Sequence, residues 1–150
     1  MDNNVLASEF GIRQIEKIGK MNIKIDFNQG LDARRIDRPI AKLLAKCKWL
    51  KPVRLACDTA SQKESVANAV KVMREEGVTP KAYFCYVLVK DIKDALDRVM
   101  FLKELGVDQF AQPYRDFDNN IEPTKEQKRF ARWVNHKAIF KTVKWEEYNN

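Results

Sequence analysis

The side chains best suited to bind a ligand or to take part in a reaction lie in short polar segments of this 150-residue sequence, and each of these segments follows an apolar one. The first segment, KIDFNQGLDARR, spans residues 24–35, and in it Ile25 and Phe27 alternate with polar and charged residues. This alternation has the period of a β-strand. Two amides, a glycine, a carboxylate and two guanidinium groups follow it. Together they suit a polar ligand that carries amine, carboxylate and hydroxyl groups.

Three further apolar segments end in the same way. We predict strands over 23–28, 53–57, 82–89 and 108–112, whose starts are 30, 29 and 26 residues apart. Helical patterns fill the intervals, and Gly77 and Gly106 follow two of them as helix stops. The continuous apolar run over 82–89 is typical of a strand buried on both faces. We therefore predict an α/β fold, a parallel β/α repeat of about four strands with right-handed crossovers and flanking helices.

Parallel strands gather their carboxyl ends at one edge of the sheet, so the polar segments predict one shared site. The candidate residues are Asn28, Gln29, Asp32 and Arg34 after the first strand, Asp58, Thr59, Ser61 and Gln62 after the second, Lys90 and Asp91 after the third, and Gln112, Tyr114, Arg115 and Asp116 after the fourth.

Some of these residues have a simpler structural interpretation. Asp91, like Asp37, precedes a helical pattern and is expected to be a helix cap. Ser61, with a glutamate three residues later, matches a capping box. Arg115 and its neighbour Asp116 can pair with each other. No nearby helix start accounts for Gln29, Asp32 or Arg34. Together with Asp58, they are the stronger candidates for a ligand site.

The cysteines do not predict a metal site. Cys47, Cys57 and Cys85 are irregularly spaced and form no CxxC motif, which favours free thiols in a reducing compartment. Cys57 and Cys85 lie in predicted strands, whereas zinc and cluster ligands are usually grouped closely in loops. The sequence also contains no phosphate-binding loop and no paired-histidine metal motif. We expect a cytoplasmic protein without a signal peptide or membrane-spanning segment.

The positive charge is concentrated near the carboxyl terminus. The net charge is +7, and residues 123–148 contain seven lysines or arginines against three acidic residues. Aromatic residues are interleaved with them, among them Trp133, Phe140, Trp145 and Tyr148. We divide the chain into a β/α repeat over 1–121 and a basic helix with an aromatic tail over 122–150. Basic residues mixed with aromatic ones can bind nucleic acid, but a solvated helix face with a packed tail explains the same pattern.

An ordered series of motifs resembles the later part of a radical S-adenosylmethionine domain. The series covers nearly the whole chain and is closest to bacterial and phage-borne members of unassigned substrate. It comprises Asp2-Asn3-Asn4 with Leu6-Ala7, the run 26–34 (DFNQGLDAR), the run 54–58 (RLACD), the run 86–89 (YVLV), the run 106–108 (GVD) leading to 112–116 (QPYRD), and the runs 132–135 (RWVN) and 138–141 (AIFK).

The resemblance implies a partial (β/α)₆ barrel, of which this chain would hold the end of the second strand through the sixth. It implies that Asn28, Gln29 and Arg34 lie at the S-adenosylmethionine pocket. It also implies that Asp58, Thr59 and Ser61 contact the ribose and methionine parts of that cofactor. Asp32, Gln112 and Tyr114 complete the expected cofactor-binding set at the same rim.

The resemblance also defines what this sequence lacks. The family holds its 4Fe-4S cluster with a CxxxCxxC motif, and no such run occurs here. We therefore expect a truncated or fragmentary relative that does not bind the cluster, has no catalytic residues of its own and is catalytically silent alone. A partial barrel leaves sheet edges and a concave face uncovered, so we also expect a homo-oligomer that associates through them.

Two other interpretations stay open at this point. The chain is a nucleic-acid-binding module that uses its basic tail, or it is a stand-alone TIM-like enzyme that uses the polar rim. For the enzyme, Asp26, Asp58 and Lys90 are the acid–base candidates, and their spacing selects no particular reaction.

Overall fold

A computed structural model of the chain describes residues 4–50, 52–78 and 82–149, so Asp2 and Asn3 of the motif series lie outside the described residues. Helices and short strands alternate along the described chain. In order they are α1 Glu9–Gly19, β1 Lys24–Ile25, α2 Arg38–Ala45, β2 Lys48–Trp49, β3 Val53–Ala56, α3 Lys63–Glu75, β4 Tyr83–Val89, α4 Ile92–Glu104, β5 Asp108–Pro113, α5 Lys125–Asn135 and α6 Lys137–Thr142. No helix in these ranges is long and apolar enough to cross a lipid bilayer.

The predicted parallel α/β arrangement is confirmed. Strands β3, β4 and β5 are neighbours in that order, and both pairs are parallel. Strands β1 and β2 form a second, two-stranded parallel sheet. An isolated parallel bridge between Leu31 and Leu55 connects the chain after β1 to β3. The bridge has the same sequence offset as the β1–β2 pairs, so Leu31 and Leu55 pair in the same register as residues 24–25 with 48–49.

The first strand ends at Ile25 and is shorter than the predicted span 23–28, and the chain then turns over residues 27–30. The backbone N–H of Gly30 donates to the carbonyl of Phe27 over 2.9 Å, and Gly30 has a φ of +83°. Glycine adopts this left-handed conformation without steric cost. The turn returns Leu31 to the ladder, where its N–H donates to the carbonyl of Arg54. Strand β2 was not predicted, since two residues are too few to show an alternation.

The two faces of the three-stranded sheet differ. Along β4, Tyr83, Cys85, Val87 and Val89 are buried, whereas the residues between them are only half-buried. The buried residues share one core with side chains of α3 and α4, including Val66, Val70, Val99 and Leu102. The prediction that β4 is buried on both faces is therefore wrong. Helices cover one face; the other, the open face, carries Arg54, Ala56, Phe84, Tyr86, Leu88, Phe110 and Gln112.

The helix starts follow the expected capping chemistry, with one exception. Ser8, Asp37, Asp91 and Thr124 each accept a backbone N–H in the first turn of their helices. The capping box predicted at Ser61 and Glu64 is wrong, because α3 begins at Lys63, after a single 3₁₀ turn over Ala60–Gln62. At this position the side chain of Gln62 instead accepts the backbone N–H groups of Asp58 and Thr59.

Helices α5 and α6 and the following turn enclose an aromatic cluster. Phe130, Trp133, Phe140, Trp145 and Tyr148 form it, and their neighbouring ring centroids are 4.8–6.4 Å apart. Helix α5 also packs on β5, and the carboxamide of Asn135 both donates to the carbonyl and accepts from the N–H of Ala111. Asn135 thus occupies the place that a further strand would take at this point of the β5 edge.

Candidate ligand site at the strand ends

Two adjoining clefts open where the parallel segments end. The outer cleft, about 290 Å³, lies between the 28–34 turn and α3; the inner cleft, about 350 Å³, lies at the carboxyl end of the open face. Gln29, Ala56 and Asp58 line both clefts and form their boundary. Asn4, Gly30, Leu31, Asp32, Ala33, Arg34, Gln62 and Ser65 complete the outer cleft, and Asn28, Tyr86, Leu88 and Gln112 complete the inner one.

Asp58 is held at the boundary by backbone contacts on both sides. Its Oδ1 accepts the N–H of Leu88 over 3.2 Å and so extends the β3–β4 ladder by one bond. The side chain of Gln62 accepts the N–H groups of Asp58 and Thr59 over 2.6 and 3.1 Å, which fixes the turn before α3. The other oxygen of Asp58, Oδ2, has no hydrogen bond with any described residue and remains an acceptor at the cleft.

A buried guanidinium ties the ends of β3 and β4 together beneath the rim. Arg98 of α4 is 0% exposed and donates to the carbonyls of Cys57 and Leu88 over 2.5 and 2.9 Å. Asp94, one helical turn earlier, accepts from the same guanidinium at 2.6 Å. The cation satisfies carbonyls that the strands leave unpaired where they stop, so its contacts set the position of the Asp58 turn.

A second guanidinium joins the open face to the first loop. Arg54 donates to both carboxylate oxygens of Asp26 over 3.1 Å and to the hydroxyl of Tyr86 over 2.8 Å. The Tyr86 hydroxyl donates in turn to the carbonyl of Asn28 over 3.3 Å. This chain of contacts holds the residues just before Gln29 against the sheet. A bidentate pair of this kind is also geometrically specific.

The structure gives Asp32 a local role that the sequence did not predict. Asp32 caps the 3₁₀ turn Ala33–Arg35, and Arg34 donates to its carboxylate from the backbone and from two guanidinium nitrogens. The Arg34 side chain lowers the pKa of Asp32, partial burial opposes that shift, and Asn4 adds a further hydrogen bond. A helix start therefore does account for Asp32. Arg34 keeps its Nη1 outside this pair.

The amide side chains are the least occupied polar groups of the site. Asn28, Gln29 and Gln112 are exposed at the clefts, and their carboxamides make no hydrogen bond with another described residue. A carboxamide both donates and accepts, so each can meet a hydroxyl, an amine or a carboxylate. Gln112 stands beside Leu88 in the β4–β5 register, which brings the fourth predicted strand end to the inner cleft.

Several predicted site residues lie elsewhere. The hydroxyls of Thr59 and Ser61 are 2.9 Å apart, and neither residue lines the two clefts. Tyr114 lies beneath Lys90, whose Nζ is 5.0 Å from the ring centroid. Lys90 and Asp91 line a separate cavity beside α5. The predicted Arg115–Asp116 pair is wrong: Arg115 pairs with Glu122 at 2.7 Å, and Asp116 accepts from Asn119 and from the backbone of residue 118.

The acid–base trio of the enzyme interpretation is not assembled. Asp26 is engaged by Arg54, and Asp58 and Lys90 line different cavities. Tyr86, Leu88 and Ser65 also line the clefts, but the sequence analysis did not predict them as site residues. For Tyr86 and Leu88 a signal existed, because the period of two along β4 places them opposite the buried residues.

The chain's own thiols do not fit an iron–sulfur cluster or another metal. All three cysteines are free and buried, and the described ranges contain no group of three metal-ligating side chains. Burial raises the pKa of Cys57 to about 11 and holds the pKa of Cys85 well above its ordinary value. Because the thiolate is the form that ligates metal, these buried thiols favour packing over ligation.

The fold and the clefts define a parallel α/β protein with a polar site at its strand ends. Comparison of the chain with protein-family models, with curated proteins and with solved structures gave no significant match.

Proposed function

We propose that the strand-end rim binds S-adenosylmethionine, and that the chain corresponds to the later portion of a radical S-adenosylmethionine partial barrel. The observation that carries this proposal is the convergence of Gln29, Asp58 and Gln112 on two joined clefts at the ends of parallel segments. Parallel α/β proteins bind ligands at this edge. Strands in sequence order, with helices on one face only, also suit a wall of a barrel.

The free groups of the rim match the polar groups of such a ligand. Asp58 Oδ2 can accept from an amine or from ribose hydroxyls, and Gln29 can bond to either cleft's occupant. Arg34 Nη1 can bind a carboxylate while the rest of the guanidinium stays with Asp32. Tyr86 and Leu88 offer apolar surface in the inner cleft for the base. The chain's own contribution is thus to bind and orient the ligand.

The proposal is binding without cleavage. Reductive cleavage of this cofactor requires an electron from a cluster, which the buried thiols of this chain do not fit. We therefore expect the purified chain, treated with iron, sulfide and a strong reductant, to release no 5′-deoxyadenosine. Release of that product in proportion to the protein would contradict this part of the proposal.

Isothermal titration with S-adenosylmethionine and with S-adenosylhomocysteine tests the binding. Asp58→Asn keeps the Oδ1 acceptor for Leu88 but removes the charge, and Gln29→Ala removes an exposed carboxamide. We expect Asp58→Asn to weaken binding by at least about tenfold, because a hydrogen bond to a charged group is worth about 1.5–3 kcal/mol. Gln29→Ala should weaken binding by about two- to tenfold, because a hydrogen bond between neutral groups is worth about 0.5–1.5 kcal/mol. The matched controls Asp118→Asn and Gln109→Ala lie outside both clefts. Equal affinity of all four variants would remove the rim as the site.

Nucleic-acid binding is the second candidate, and one observation favours it. Lys125, Lys128 and Arg132 are exposed along one side of α5 and belong to no ion pair in the described parts of the chain. The cluster rings are engaged with each other, and all except Trp145 are buried, so bases have little to stack on. If this candidate is correct, the association constant for an oligonucleotide should fall steeply as the salt concentration rises, because basic side chains that bind phosphates release counterions. A flat salt dependence would exclude it.

The open face supports a proposal about assembly. Phe84, Tyr86 and Phe110 form a continuous ring cluster on it, with centroids 5.0–6.1 Å apart, and Phe110 is 40% exposed. Aromatic groups on an uncovered sheet face favour association. We propose that copies of the chain associate through this face.

A further inference from the structure

A second cavity, separate from the rim, has a different chemical character. It measures about 460 Å³ and lies between α4 and the carboxyl-terminal segment that contains α6. Its apolar lining includes Leu96 and Met100 of α4 and the rings of Trp133, Phe140 and Trp145. It shares no lining residue with either rim cleft. Its volume falls in the ordinary range of small-molecule pockets, about 300–1,000 Å³.

The polar atoms at the floor of this groove are already satisfied. The indole N–H of Trp133 donates to the carbonyl of Val143 over 2.9 Å, and the hydroxyl of Thr142 donates to Ala138 over 2.9 Å. The floor therefore offers contact area and few unpaired polar atoms. Met100 is 38% exposed there, although it occupies the same helix as the buried Val99 and Leu102. An apolar body of a ligand can cover this surface without leaving a buried polar group unpaired.

The charged residues around the groove are predominantly positive. Lys103, Lys141 and Lys144 line it against a single acid, Glu146. None of the three lysines takes part in an ion pair with a described residue. Lys103 Nζ instead lies 5.2 Å from the centroid of the Phe140 ring. A cation held beside an apolar floor complements a ligand with an acidic group on an apolar body.

We propose that this groove is a binding site for an amphipathic carboxylate of the fatty-acid type. The alkyl chain lies over Leu96, Met100 and Phe140, and the carboxylate lies at Lys103 and Lys141. Those two lysines, with Phe140, also line the neighbouring cavity toward Gly106, so they mark one end of the groove. The site is independent of the proposed function, since no rim residue takes part in it.

Dodecanoate, kept below its micellar range, is the probe. Trp133 and Trp145 line the groove, so their fluorescence should change when the probe binds. Trp49 lies in β2, away from the groove, and should contribute a constant background. Met100→Glu places a charge on the floor of the groove, and Lys103→Gln removes a cation from its edge. The matched controls are Met21→Glu and Lys128→Gln, at exposed residues that do not line it. A thermal melt of each variant verifies folding.

We expect Met100→Glu to raise the dissociation constant by at least about tenfold and Lys103→Gln by about threefold. The controls should stay within about twofold of the original chain, and dodecyltrimethylammonium should bind at least about tenfold more weakly than dodecanoate. Equal binding of the two amphiphiles, or equal affinity of groove and control variants, would overturn the proposal. Tighter binding of an acidic amphipathic peptide than of dodecanoate would also overturn it, in favour of a protein partner.

Discussion

The two faces of the β3–β4–β5 sheet differ in burial, although the residues of β4 on both faces are apolar or aromatic. Alternate residues of β4 meet α3 and α4 and are fully buried, whereas Phe84, Tyr86 and Leu88 face the other way and stay half-buried. Both sets are equally apolar in the sequence. The covered face forms part of the hydrophobic core, whereas the open face, which ends in Ala56, Leu88 and Gln112, leads into the inner cleft. Hydrophobicity alone therefore does not separate a core residue from a surface that a ligand or partner can cover.

The largest expected contrast is between one leucine on each face. Leu55 is 0% exposed and lies in the core, whereas Leu88 is half-buried on the open face. We expect Leu55→Ala to lower the free energy of unfolding by about 2–5 kcal/mol, because it removes contacts and leaves a cavity. Leu88→Ala should cost about 1 kcal/mol or less. Urea unfolding of both variants measures the difference, and equal losses would show that the two faces are equally covered in solution.

Removal of the buried cation should have the next largest effect. Arg98→Met leaves the carbonyls of Cys57 and Leu88 without their donor, and we expect a loss of about 3 kcal/mol in unfolding free energy. Arg13→Met is the matched control, since Arg13 only forms an exposed pair within α1. Because Arg98 positions the Asp58 turn, the proposed affinity for S-adenosylmethionine should fall as well. Arg98→Met with unchanged stability would mean that these carbonyls do not depend on the guanidinium.

A charge on the open face should separate associated copies without unfolding them. Phe110 is exposed at the edge of the ring cluster, so Phe110→Lys should cost less than about 1 kcal/mol in stability. Light scattering should show an assembly for the original chain and a monomer for this variant. Phe117→Lys, at a residue 78% exposed outside the sheet, is the control and should leave the assembly intact. A monomeric original chain would contradict association through the open face.

The smallest expected effect concerns Asp32 and pH. The Arg34 side chain lowers the folded-state pKa of Asp32, so its contribution to stability is present above the unfolded pKa and is lost as pH falls through the folded one. Asp32→Asn keeps a capping oxygen but removes the charge, and should cost about 0.5 kcal/mol at pH 7. This difference should vanish once the pH falls below the lowered folded-state pKa of Asp32. A difference that persists there would show that Asp32 acts through its shape rather than its charge.

Much of the fold follows from local sequence rules. The strand positions of β3, β4 and β5 follow from apolar segments, and Ser8, Asp37, Asp91 and Thr124 cap helices as their residue types indicate. These features depend on interactions within a few residues. The polar turn that contains Gly30 is itself a local feature. The pairing of Leu31 with Leu55 that follows it could not be predicted in the same way, because these two residues are distant in sequence.

The site was harder to predict than the fold. Gln29, Asp58 and Gln112 were found because strand ends meet at one edge, but which polar residues remain free depends on tertiary contacts. Arg98 reaches carbonyls 41 and 10 residues away, and no local pattern contains that information. The capping role of Asp32 was not predicted, because a single 3₁₀ turn is too short to show a helical pattern in the sequence. Residue type identified the candidates, and the hydrogen-bond partners decided among them.

The most direct test of the strand-end site is a nuclear magnetic resonance titration of the labelled chain with S-adenosylhomocysteine. We predict shift changes that saturate with a dissociation constant below about 1 mM and that are confined to residues 28–34, 56–62, 86–88 and 112. Asp58→Asn should weaken them, and Asp118→Asn should not. Absence of saturable changes in a folded sample, or changes centred on Leu96, Met100 and Trp145 instead, would contradict a ligand site at the strand ends.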